Sequence, residues 1–71
     1  MAHSGMAQII LVWIAIEQDW ESQETLGIFY SKEAAERKCR EVQLAWRPQY
    51  KGQTPYGYRV EGPYEVQHDG A

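Results

Sequence analysis

A chain of 71 residues has room for one domain, and a domain this short buries only roughly 60% of the surface its unfolded form exposes. Hydrophobic residues make up 44% and charged residues 24%, which is enough apolar surface to offset the entropy of ordering the chain, so disorder is not the default. The formal net charge of -3 runs against the basic surplus with which proteins hold nucleic acid through its phosphates.

Met1 to Ala7 are small and polar with a second methionine at Met6, and are expected to be a tag-like or disordered start outside the fold. Ile9-Ile10-Leu11-Val12-Trp13-Ile14-Ala15-Ile16 is rich in β-branched residues and too short for a free-standing helix, so it predicts a strand. Both faces of that strand are apolar: Ile10, Val12, Ile14 and Ile16 point one way, and Ile9, Leu11, Trp13 and Ala15 the other. Such a strand belongs in the middle of a sheet. Glu17 to Gln23, polar and acidic around Trp20, predicts a loop, and Glu24 to Tyr30 a second, shorter strand.

Ser31 supplies a capping oxygen and Glu33 a first-turn negative charge for a helix over Lys32–Trp46. Ala35, Cys39, Val42 and Trp46 fall on one stripe, which predicts the core face, and Pro48 ends the pattern. The outer face carries Glu33, Arg37, Arg40, Leu44 and Arg47, with Glu33–Arg37 and Glu36–Arg40 at the favourable four-residue offset. Arg47 to Pro55, with Pro48, Gly52 and Pro55, predicts a returning loop. Tyr56 to Glu61 predicts a third strand, Gly62-Pro63 a bulge or bend, and Tyr64 to Val66 an edge segment. The domain is expected to span 8–67, with 68–71 a loose tail.

The order is strand, strand, helix, strand. A right-handed crossover puts the third strand beside the first, giving a three-stranded, mainly antiparallel sheet of order 2-1-3 with one helix on one face: an α+β, ββαβ fold.

Leu26-Gly27-Ile28-Phe29-Tyr30-Ser31-Lys32-Glu33-Ala34-Ala35-Glu36, followed by Tyr58-Arg59-Val60-Glu61 and Tyr64-Glu65-Val66, resembles a family of short bacterial and phage proteins of unknown function. The resemblance covers most of Ile9 to Gln67 and implies the same strand-strand-helix-strand layout. The loop with Pro48 and Pro55 and the Gly62-Pro63 break depart from that pattern. No catalytic residue is implied, since the family has no assigned activity; an accessory protein of a phage or mobile element is.

Little in the chain points to reaction chemistry. Cys39, the single cysteine, lies on the core stripe without a histidine partner and reads as a small buried hydrophobe. His3 and His68 fall in the expected tails, too far apart to form a clustered metal site with Cys39. Asp19, Glu21 and Glu24 lack calcium-loop spacing and read as a solvated turn. No phosphate loop or nucleophile elbow occurs, so neither an enzyme nor a cofactor is expected. An unpaired thiol and the absence of an apolar run of ~18 residues suit a soluble, cytoplasmic protein without membrane contact.

One helix covers one face of a three-stranded sheet, but the first strand has two apolar faces. The surplus surface predicts binding. The residues expected to meet a partner protein are Leu11, Trp13, Trp20 and Phe29, together with the arginine ridge Arg37, Arg40 and Arg47. A homodimer, through sheet faces or paired edge strands, is the simplest cover. The functional expectation is a small non-enzymatic interaction module that modulates or inhibits a host protein, such as a bacterial defence complex. The alternative is a nucleic-acid-associated regulator that uses an aromatic sheet face and the helix arginines.

Overall fold

The β-branched run at the start of the chain is the spine of a three-stranded sheet. In the computed structural model, which describes residues 8–54 and 56–68, the elements are β1 (Gln8–Gln18), β2 (Gln23–Phe29), α1 (Lys32–Ala45) and β3 (Gly57–His68). The expectations for 1–7, including His3, and for 69–71 lie outside the described residues. The sheet order is β2-β1-β3, and β1 is antiparallel to both neighbours. The doubly apolar strand is therefore central, as its composition demands.

β1 and β3 are longer than the alternation alone suggests, while β2 keeps its expected length and shifts back by one residue. Glu17 pairs with Glu24 and Gln18 with Gln23, so both ends of the expected acidic loop belong to the ladder, and only Asp19 to Ser22 turn the chain. The cause is local: the Asp19 carboxylate accepts the backbone N–H groups of Glu21 and Ser22 at 2.8 and 2.7 Å, closing a tight Asx turn. Those same N–H groups hold the Asp19 carboxyl below its ordinary value. β3 likewise runs unbroken from Gly57 to His68, absorbing Gly62 and Pro63 as a bulge opposite Trp13.

The helix starts where its cap predicts. Ser31 is extended and its hydroxyl accepts the Ala34 N–H at 3.1 Å, with Glu33 in the first turn. Trp46, expected as the last helical residue, is instead the C-cap in extended conformation. Neither predicted four-residue ion pair closes; the helix carries Lys38–Glu41 at 3.3 Å instead.

Ala15, Ala35 and Cys39 form the buried centre between sheet and helix, with Trp13, Leu26, Phe29, Tyr58 and Val60 packed around them. The small stripe of α1 is what lets the bulky face of the sheet approach it. Cys39 is buried, its thiol 3.6 Å from the Arg59 carbonyl. Among the described residues no helix is long and apolar enough to cross a membrane.

Candidate interaction surface

Strand alternation assigns the faces. Trp13, Ala15 and Glu17 on β1 look toward α1, because their cross-strand partners Phe29, Val60 and Tyr58 all meet the helix side. Ile10, Val12, Ile14 and Ile16 must then look the other way, joined by Ile28 opposite Ile14, Tyr64 opposite Val12 and Val66 opposite Ile10. No element among the described residues lies over this second face.

The uncovered face has two unlike ends. At one, Arg59 on β3 reaches across β1: its guanidinium donates to Gln18 Oε1 on β1 and, at 2.7 Å, to Gln23 Oε1 on β2, while its Nε donates to Glu61 at 2.9 Å. Ile16, paired with Arg59 in the ladder, is buried on this face although no second layer lies over it. Glu61 also accepts the Tyr64 hydroxyl at 3.0 Å. Arg59 and then Tyr64 hold the Glu61 carboxyl below its ordinary range, and Glu61 in turn raises Tyr64. Beyond this strap no element covers the face, although Val12 at its middle is buried among its strand neighbours. Ile28 is 63% exposed, Val66 46% and Tyr64 45%, flanking the half-buried Ile10 and Ile14.

The returning loop does not cover this surface. Trp46 and Tyr56 meet edge to face at 6.2 Å, and Tyr50, Gln53 and Thr54 face Gln18, Asp19 and Trp20 across an open cleft of about 500 Å³ at the end of the sheet.

The residues expected to bind a partner are dispersed. Trp13 and Phe29 pack under α1 and belong to the helix side of the sheet, so the outward apolar patch is on the opposite face from the one expected to carry it. Leu11 is on the helix side of β1 but beyond the reach of α1, and is 43% exposed. Trp20 stands at the tip of the β1–β2 turn, almost fully exposed. Arg37 and Arg40 are exposed on α1, with Arg40 lining a shallow groove against β3. Arg47 does not continue a ridge: its guanidinium turns back to donate to the Leu44 and Trp46 carbonyls at 2.9 and 2.7 Å, capping the helix end.

Ile14, Ile28, Tyr64, Val66 and the Arg59 strap were missed as surface residues. The signal that could have found the first four is steric. A helix whose inner stripe is Ala35 and Cys39 fits the face with the larger side chains, Trp13 and Phe29, and so leaves the isoleucine face open. No family model, curated protein or solved structure matches the chain.

Proposed function

We propose that this chain is a small interaction module, without catalytic activity of its own, that takes a partner protein on its open sheet face. The observation that carries the reading is the exposed set Ile28, Tyr64 and Val66 beside half-buried Ile14 on a domain with one helix. A contiguous apolar patch on a chain this small marks an interaction site, and burying each large side chain in it is worth roughly 1.5–3 kcal/mol. The Arg59–Glu61–Tyr64 chain beside it supplies the polar rim that fixes orientation. The resemblance to bacterial and phage proteins makes a host protein in the cytoplasm the proposed partner, modulated by occlusion.

Less supports a nucleic-acid regulator. Trp13 and Phe29 are packed under the helix instead of forming a stacking platform, and Arg59 is paired with Glu61.

Affinity capture from the native host tests the proposal, using wild type, Ile28→Lys and the double variant Arg37→Ala/Arg40→Ala. Ile28 is exposed, so the lysine leaves the fold intact, as circular dichroism would verify. The expected result is a discrete protein retained by wild type and by the double variant, and reduced at least about tenfold by Ile28→Lys. Retention indifferent to Ile28→Lys but lost with the arginines would move binding to the helix and sink the proposal. Recovery of nucleic acid instead would establish the alternative.

A further inference from the structure

β1 is longer than the strand that flanks it on one side. β3 follows it from Gln8 to Gln18, but β2 pairs with it only from Trp13 to Gln18. Over Gln8–Val12, no strand among the described residues pairs with β1 on the β2 side. The backbone N–H and C=O groups there form an open ladder edge.

Other edges of the sheet carry devices that discourage pairing. The outer edge of β2 begins with Gln23 and Glu24 and is bulged where Thr25 to Gly27 meet Ala15 and Ile16. The outer edge of β3 carries Glu61, Glu65 and Pro63, which has no N–H to donate, beside the Gly62 bulge. Gln8-Ile9-Ile10-Leu11-Val12 has none of these: no charge, no proline and no glycine. Two of its side chains stay wet, Ile9 at 62% and Leu11 at 43% exposed, both on the helix side of the strand.

We infer that two copies of this chain join by antiparallel pairing of their Gln8–Val12 edges about a twofold axis at Ile10. A strand edge laid antiparallel to itself is self-complementary in its hydrogen bonds. Centring the axis on the middle residue of the open segment sets Ile9 of each copy opposite Leu11 of the other, on the helix side of the joined sheet. On the other side Ile10 of one copy meets Ile10 of the other, and Val12 faces position 8, so the joined sheet carries the apolar face across the axis at Ile10. The five paired residues are uncharged, so no like charges come face to face. A foreign strand would have to be apolar on both faces to match this edge, whereas a second copy meets that requirement by construction. Five residue pairs bury less than the roughly 800 Å² per partner of a standard interface, so the dimer is concentration-dependent. This inference rests on the strand edge and not on the open face, and the two stand or fall separately.

Sedimentation velocity on the full chain from about 5 to about 500 μM, the range in which an interface of this size dissociates, tests it with three single variants. Wild type is expected to pass from monomer to dimer across that range. Ile9→Lys alone and Leu11→Glu alone each weaken the dimer at least tenfold, because each buries a charge against an apolar partner. Mixing the two restores a dimer, because position 9 of one copy faces position 11 of the other. Ile28→Lys, on the open face, leaves dimerisation unchanged. A wild type that stays monomeric throughout overturns the inference, as does a dimer that appears only when residues 1–7 are deleted, which would mean that the chain covers its own edge. So does a dimer indifferent to both edge variants or abolished by Ile28→Lys, and so does failure of the mixture to recover, since the register would then be wrong.

Discussion

Tyr58 shows how a single side chain ties the helix side of the sheet together. It is half-buried beside Cys39, and its hydroxyl donates to Glu17 Oε2 at 2.8 Å across the β1–β3 ladder. Burial first, and then the hydrogen bond to a carboxylate, push the phenol from 10.0 up to about 12. Because the folded value lies above the unfolded one, the folded chain keeps this proton longer. The stability Tyr58 contributes is complete below pH 10 and is lost as pH rises through about 12. Tyr58→Phe removes a hydrogen bond to a charged acceptor that solvent can still reach, at a cost of about 1 kcal/mol at neutral pH. Urea unfolding followed from pH 8 upward should give a shallower alkaline decline for the variant than for wild type. Any slope left over belongs in part to Tyr64, which Glu61 raises in the same direction. Identical slopes would remove Tyr58 from the account.

At the scale of elements, the strand that decides the shape of the open face is β3, and its hinge is Gly62. This residue has φ of +140°, and a Cβ placed there would come within 2.8 Å of the Val12 carbonyl oxygen and 3.2 Å of the Trp13 Cα. Backbone atoms cannot swing aside as a flexible side chain would. Gly62→Ala is therefore expected to destabilise the fold by about 1–3 kcal/mol, lowering the melting temperature by at least about 4 °C; an unchanged melting curve would show that the bulge can relax. Pro63 and Gly62 together made this bend visible in the sequence. The run of β-branched residues in β1 and the Ser31 cap were equally legible, because each depends on neighbours along the chain. What the sequence did not disclose depends on register between strands. Arg59 can be recognised as a strap only once Gln18 and Gln23 are known to lie beside each other in the ladder. The β1–β2 ladder extends past its apolar run because Asp19 can satisfy two backbone donors, which alternation does not reveal. Which face the helix covers is hard to read from the sequence for a similar reason: both faces of β1 are apolar, and only the fit of Trp13 and Phe29 against Ala35 and Cys39 separates them.

At the scale of the whole molecule, the described residues bury very little core. Its buried hydrophobics are Val12, Ala15, Ile16, Ala35 and Cys39, two of them alanines, and among the described residues no large side chain is fully buried. Small domains with so little inside gain stability from disulfides, metals or partners, and with a single cysteine no internal disulfide can form. If copies join through Gln8–Val12, association and folding are linked, and whatever binds only the folded chain raises its apparent stability by mass action. Each tenfold rise in concentration is worth about 1.4 kcal/mol per dimer, or about 0.7 kcal/mol per chain. For a chain of this length that corresponds to roughly 3–5 °C in melting temperature. Differential scanning calorimetry at increasing protein concentration should therefore show an upward drift of that size for wild type, above the concentration at which the dimer forms. Ile9→Lys should begin to drift only at concentrations at least about tenfold higher than wild type, while Ile28→Lys should drift like wild type. A wild type with a concentration-independent melting temperature would mean that this small core is sufficient by itself, and that the open edge contributes nothing to holding the fold.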